Sequence, residues 1–274
     1  MFTSVSPFPG IYHITDAMGV SFTLIEGGES SLLFDTGYGM ENVSVFVSTL
    51  TKKPLKVFLS HGHHDHMLGS RWFGKTWLCG EDMDEFRFRS GKLQRTKVKA
   101  QADAKHVDVP ADFMDVPIAL PDRIIFPDFT GEFESRTENL GLLDTVIIHV
   151  PGHTPGSIVI YIPAYSLLLT GDDWNPCTWM WFPSSLGADQ WRNHMLSLIN
   201  SIEKAYKKEI SSVLCSHQPM LRAGAEMKNF LAYMNETRMK EAGFTDMGAP
   251  INTHIIRNEE KDWTLVFDAD KRSL

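Results

Sequence analysis

Apolar and polar positions along this chain alternate in short runs first and then recur at helical spacing, and the sequence goes through that order twice. "GIYHIT", "VSFTLIEGG" and "SSLLFDTG" read as three short strands separated by Gly, Asp and Glu turns, a β-meander. Met40 to Leu50 places Val43, Phe46, Val47 and Leu50 on one helical face, and Pro54 separates that helix from "LKVFLS", a continuous apolar run of the kind buried on both faces of a sheet. A helix start falls at Asp65, where an acidic side chain suits the positive end of the helix dipole. Residues 81–120 carry a weaker pattern: a helix from about Glu81 to Phe88, then irregular chain. Strand signals return in "RIIFP", "NLGLL" and "TVIIHV", the last two joined by a turn at Asp144, and in "SIVIYI" and "SLLLTG" across "PAY". "GADQWRNHMLSLINSIEKAY" is a long amphipathic helix, followed by strand "SSVLCS" and a helix near Ala223 to Glu241. "NTHIIR" and "WTLVFD" close the chain as two short strands.

A duplicated meander-then-helix order predicts two mixed sheets packed face to face with helices on both outer surfaces. No repeat, low-complexity tract or Gly/Ser linker interrupts the 274 residues, so the expectation is one domain, 1–274, made of two structural halves. Composition adds exclusions. With 26 Lys and Arg against 34 Asp and Glu, net −8, the chain has no basic block to hold a phosphate backbone. The basic stretch Lys92 to Lys105 reads as a solvated face, and nucleic acid is not an expected partner. The N-terminus "MFTSVSPFPG" lacks the features of a signal peptide, and no window approaches the ~18 uninterrupted apolar residues of a membrane span. Cys79, Cys177 and Cys215 are odd in number and widely spaced, which fits reduced thiols and a cytoplasmic setting. The expected partner is a small-molecule substrate, with no membrane involved and a homodimer left open.

The chemistry is concentrated in "LSHGHHDHMLG", which follows the strand "LKVFLS" directly. His61 and His63 alternate at the strand end and can point into one cavity, while Asp65 and His66 follow at the first helical turn. A binuclear site takes about six or seven nitrogen and oxygen ligands, so others must come from distant strand ends. Three residues meet that condition: His153 in "VPGHTPGS", Asp172 in "LLLTGDD" and His217 in "VLCSHQP".

In their order, "DTG" at Asp35, HxHxDH at His61 to His66, "PGHTPGS", "TGD" and "SHQP" resemble the motifs of the metallo-β-lactamase-fold hydrolase superfamily, from about Gly10 to Pro219. The resemblance implies an αββα four-layer sandwich. It further implies that His61, His63 and His153 hold one divalent metal ion, that Asp65, His66 and His217 hold another, and that Asp172 bridges them, with a hydroxide between the metals as nucleophile. Nitrogen-rich ligation favours zinc, and imidazole also suits iron and manganese. Asp65 is the catalytic candidate, placed to steer or accept the water proton; Asp35, at a strand end, can orient a ligand or brace the motif loop.

The remaining histidines are read more plainly. His64 is a neighbour of the site, and His13, His106, His149, His194 and His254 are structural. Asp173 is a capping or supporting group. In "DDWNPCTWMWFP", the dense Trp174, Asn175, Trp179 and Trp181 suggest a substrate wall. Classical zinc β-lactamases often carry Cys where this chain has Asp172, a departure that favours the glyoxalase- and lactonase-like branch. The expected activity is hydrolysis of a small ester, thioester or lactone; the rival readings are an iron-dependent oxidoreductase of the same fold and a zinc β-lactamase.

Overall fold

Strands with apolar side chains on both pleat faces require cover on both sides, and that requirement organises this molecule. The computed structural model describes residues 1–271. The first sheet has seven strands in sequence order: β1 (Thr3–Phe8), β2 (Ile11–Thr15), β3 (Ser21–Glu26), β4 (Ser31–Phe34), β5 (Leu55–Phe58), β6 (Trp77–Leu78) and β7 (Asp122–Arg123). It is antiparallel through β4 and parallel beyond it. The second sheet begins with β8 (Asp128–Thr130), β9 (Phe133–Asn139), β10 (Asp144–His149), β11 (Ile158–Ile162) and β12 (Leu167–Leu169), an antiparallel series. A third, smaller sheet takes β13 (Cys177–Met180) next along the chain, while β14 (Ser212–Leu214) runs parallel to β12, and β15 (Arg222–Ala223) closes the second sheet. β16 (Gly243–Phe244), β17 (Thr253–Asn258) and β18 (Trp263–Asp268) complete the third sheet, with β18 parallel to β13.

The helices are α1 (Val43–Leu50), α2 (His64–Met67), α3 (Met83–Arg89), α4 (Lys92–Ala104), α5 (Ala188–Tyr206), α6 (Gly224–Tyr233) and α7 (Glu236–Glu241). Alternation along the strands sorts their side chains into three buried clusters. Leu33 of β4 and Val57 of β5 pack towards α1 and α4, with Val43, Val47, Val98 and Ala102. Their neighbours Leu32, Phe34 and Phe58 point the other way and meet Ile147, Ile158, Ile160, Leu169 and Leu214 of the second sheet. From that second sheet Val146, Ile148, Val159, Leu168 and Val213 face α5 and α6, against Trp191, Leu198, Ile202 and Phe230. Helices, sheet, sheet, helices: the predicted four layers are present, with a largely apolar seam between the sheets. No helix among the described residues is long and apolar enough to cross a membrane.

Several local expectations are corrected. "NLGLL" is not a strand: Gly141 (φ +76°) and Leu142 (φ +64°) form a left-handed turn, Leu140 N–H bonds to Leu143 O at 2.8 Å, and Asp144 is the first residue of β10. Leu140 and Leu143 are buried while Leu142 is wholly exposed, so the apolar run misled because one leucine serves the turn. Of "RIIFP" only Arg123 lies in a strand, the two-residue β7, and β1 has no counterpart in the expected elements. Where irregular chain was expected, α4 runs for 13 residues; its buried face is Gln94, Arg95, Val98 and Ala102, too polar for a search by hydrophobic spacing. Arg95 earns that burial by donating to the carbonyls of Phe113 (2.8 Å) and Val116 (2.6 Å), which tethers the following loop. The helix near Ala223 to Glu241 is two helices, because Asn235 leaves α6 and caps α7, accepting from Arg238 N–H at 3.1 Å. The closing strands form the third sheet instead of extending either large one.

Trp174 is also displaced from its expected place. It is fully buried in the helix-side core, edge-on to Phe230 with ring centroids 6.1 Å apart, and does not face the substrate cavity. Trp174→Ala should therefore lower unfolding free energy by about 3–5 kcal/mol in denaturant titration, as removal of a large core aromatic does. A loss under about 1 kcal/mol would show that the ring is not part of the core.

Candidate metal centre

All the proposed ligands follow the C-terminal ends of strands in the two large sheets. β5 ends at Phe58, and the chain turns through His61 and His63 into α2, which carries Asp65 and His66. In the second sheet, β10, β12 and β14 are mutually parallel, since β11 is antiparallel to both β10 and β12. Their continuations bring in His153, Asp172 and His217. Gly171, with φ +55°, makes the turn before Asp172 possible; a Cβ there would stand 2.9 Å from Ser60 Cβ.

The side chains gather into two adjoining groups, His61–His63–His153 and Asp65–His66–Asp172–His217, each with donor atoms within 4.8 Å of one another. Asp172 belongs to both surroundings: its Oδ2 lies 3.1 Å from His217 Nε2, 3.3 Å from His66 Nε2 and 3.7 Å from His153 Nε2. Asp65 Oδ2 stands 3.6 Å from both His66 Nε2 and His217 Nε2. All seven sequence-predicted ligands are thus brought together.

Hydrogen bonds behind the cluster fix the orientation of His153 and His66. His153 Nδ1–H donates to Trp179 O at 2.8 Å, leaving Nε2 to face His63 Nδ1 at 3.0 Å. The far side of the His63 ring faces Glu85 Oε1 at 3.3 Å. His153 Nε2 thus turns its lone pair towards His63, in the space where a cation could take both rings. His61 Nε2 and Asp172 Oδ1 are buried without any hydrogen-bond partner, a cost of about 1–3 kcal/mol each if nothing binds them. This donor set fits divalent cations held by imidazole and carboxylate.

Asp35, expected to orient a ligand or brace the motif loop, lies directly behind His66. It is fully buried at φ +71°, accepts from His66 Nδ1–H at 2.9 Å and from Ser60 N–H at 2.6 Å, and so aims His66 Nε2 at the cluster. Asp173, beside Asp172, accepts from His153 N–H at 2.9 Å, and burial pushes its carboxyl well above the usual range.

Charge divides the two groups. Burial, reinforced by the neighbouring rings, holds His61 well below the ordinary histidine value and His153 at about 3, so these rings offer lone pairs at neutral pH. In the other group burial opposes charging, yet Asp172 and Asp65 outweigh it and raise His66 and His217. His66 and His217 in turn hold Asp172 well below the carboxylate range against its burial. A place where two buried carboxylates stabilise positive charge is a place for a cation.

Sequence patterns missed several contributors. Asp82 accepts from Gly62 N–H (2.8 Å), Gly156 N–H (2.7 Å) and Thr154 Oγ1–H (2.7 Å), stapling the His61–His63 loop to the His153 loop. Locally it reads only as an acid at a helix start, and Thr154 is 72 residues away. Tyr38, Arg89 and Lys105 join His64, Trp179 and Trp181 around a cavity of about 650 Å³ above the cluster. Asn175 also reaches this cavity, although its Oδ1 is engaged by Cys177 N–H at 2.8 Å.

The model of the metallo-beta-lactamase superfamily matches residues 15–173, more than half of the chain. The chain therefore belongs to the metallo-beta-lactamase superfamily. It is 24% identical over 157 residues to the probable metallo-hydrolase YqgX of Bacillus subtilis (strain 168), a match covering 53% of this chain and 61% of that protein. Among solved structures, the stereoselective inverting sec-alkylsulfatase Pisa1 from a Pseudomonas species is similar at a TM-score of 0.60 and 17% identity, over 85% of this chain and 40% of that one. The metallo-beta-lactamase FIM-1 from Pseudomonas aeruginosa, in its mono-zinc form, is similar at 0.56 and 16% identity, over 86% and 95%. The chain spans about three fifths of the length of the curated relative and two fifths of the sulfatase. At such identities the structural likeness concerns the fold.

If Asp35 aims His66, Asp35→Asn should weaken zinc binding about 10–100-fold in competition with a chelator, with the far-ultraviolet circular dichroism unchanged. Unchanged affinity in the folded variant would remove Asp35 from the centre.

Proposed function

We propose that the chain is a hydrolase that works with two divalent metal ions, zinc foremost, and cleaves a small ester, thioester or lactone. The observation that carries this reading is Asp172, whose one carboxylate oxygen lies within 3.7 Å of ring nitrogens from both ligand groups. Bound cations at such a pair of sites supply Lewis acidity and bring the pKa of water from 15.7 to about 7. His61, His63 and His153 would hold one ion, and Asp65, His66 and His217 the other, with Asp172 shared.

The chain's own residues supply the rest. Asp65 is held below the usual carboxylate range by His66, His64 and His217 despite its burial, so it stays ionised at neutral pH. An ionised carboxylate at the cavity floor can accept a proton from an attacking water and orient it. Trp179, two-fifths exposed, Trp181 and Phe182 form a continuous aromatic side of the cavity, with Trp181 stacked on Phe182 at 4.7 Å. Such a wall takes the apolar part of a substrate, and the Nδ2 group of Asn175 is the candidate donor to a carbonyl oxygen.

Zinc-loaded protein should carry at least two ions per chain and hydrolyse members of a panel of aryl esters, thioesters and lactones. Asp65→Asn, which keeps side-chain volume, should cut kcat by at least about 10²-fold with little change in melting temperature. A variant that holds its metal and turns over like the parent would place the proton acceptor elsewhere.

Trp179→Ala should mainly raise KM for substrates with an apolar acyl or lactone portion and leave metal content unchanged. If KM holds and the melting temperature falls, the ring is a packing element and the wall is wrongly drawn.

A further inference from the structure

Away from the seven ligands already described, Cys79 Sγ, a Glu81 carboxylate oxygen and a His149 ring nitrogen lie within 4.8 Å of one another. Cys79 and Glu81 follow β6 of the first sheet, whereas His149 ends β10 of the second, so this group spans the seam between the sheets. Cys79 Sγ and Glu81 Oε2 are 2.9 Å apart. The His149 ring is fixed from two sides: Phe126 stacks on it at 5.7 Å and 16°, and Nε2–H donates to Pro155 O at 2.9 Å. That bond leaves Nδ1 as the free ring position, and Glu134 Oε2 lies 3.4 Å from it. A histidine whose far nitrogen is tied to a backbone carbonyl is the usual arrangement of a metal-ligating ring, and the nearby carboxylate adds negative charge beside it.

We infer that Cys79, Glu81 and His149 form a separate cation site of thiolate, carboxylate and imidazole donors, suited to zinc, cobalt(II) or cadmium(II). Zn–S distances of about 2.3 Å and Zn–N distances of about 2.0–2.1 Å set tetrahedral donors about 3.5 Å apart, so the three donors shift to that spacing on binding and solvent completes the shell. The exposed side chain of Glu81 can make this shift and gives the ion its path inward to the buried sulfur. On binding, the S–H bond of Cys79 breaks, its proton passes to solvent and the sulfur lone pair forms the bond to the cation; the Glu81 carboxylate and the His149 ring donate lone pairs. Burial, with Glu81 beside it, raises the thiol's proton affinity, so uptake should strengthen as pH rises. The ion would pin the two sheets together at this edge and, through His149 and Pro155, steady the loop that carries His153.

The test is a cobalt(II) titration of the full chain after the main centre has been filled with zinc. A thiolate-to-cobalt charge-transfer band should grow to one equivalent, persist in Cys177→Ser and vanish in Cys79→Ser. Because loss of Cys79 could disturb the buried seam, Glu81→Gln, at an exposed position, provides the second reading: cobalt affinity should fall at least about tenfold with the fold intact. Absence of the band in the parent protein, its survival in Cys79→Ser, its loss in Cys177→Ser or undiminished affinity in Glu81→Gln would each overturn the site.

Discussion

The crowding of imidazole nitrogens and carboxylate oxygens at one edge of the two sheets is the constraint on which the rest of this structure turns. His63 Nδ1 and His153 Nε2 meet at 3.0 Å, and His66 Nε2 meets Asp172 Oδ2 at 3.3 Å. So many buried donor atoms are costly to bring together unless positive charge lies among them. Nothing in a single loop could impose that crowding. The donors come from four strand ends in two sheets, and the sheets are locked together by an apolar seam in which Leu32, Phe34 and Phe58 oppose Ile147, Ile158 and Leu169. Packing of this kind is dense and stiff, so it can hold polar groups where they would not otherwise remain.

Buried aspartates transmit that stiffness to the ligands. Asp35 joins β4 to His66 and Ser60, Asp82 joins the His61–His63 turn to the His153 loop, and Asp173 fixes the backbone of His153. Burial disfavours the charge on Asp82 and Asp173, and hydrogen bonds from main-chain N–H groups offset part of that cost. Asp16 does similar work at the rim, accepting from Met18, Val20 and Tyr38 N–H and so placing Tyr38 beside the cavity. The centre is a frame of carboxylates around a core of imidazoles, and the frame is as much a product of the fold as the ligands are.

The candidate ligands were legible and the frame was not. His61, His63, Asp65 and His66 stand within six positions of one turn, and His153, Asp172 and His217 each follow a strand and sit in a short motif, so their placement makes them candidates and the resemblance of the ordered motifs singles them out. Asp82 has no such signature, because its three partners lie on two distant loops. The aromatic stretch after Asp172 was half legible. Trp179 and Trp181 line the cavity, but Trp174 turns inward to Phe230, since composition shows that rings are clustered without showing which way each one points. Helix α4 escaped notice because it buries Gln94 and Arg95, whose partners are carbonyls of a later loop, so its buried face has no apolar stripe.

By itself, the sequence determined the local and periodic features: strands apolar on both faces, the amphipathic α5, and the ligand-bearing turns that follow strands. These depend on neighbours in the chain, through the two-residue repeat of strands and the 3.6-residue repeat of helices. Tertiary structure alone decided which lone pairs face which, which carboxylates stay charged, and which aromatic rings see solvent. Those outcomes depend on residues tens of positions apart and on how completely water is excluded between them. It also brought Cys79 and Glu81 up to His149 across the two sheets, a meeting of residues on separate sheets that no spacing along the chain encodes.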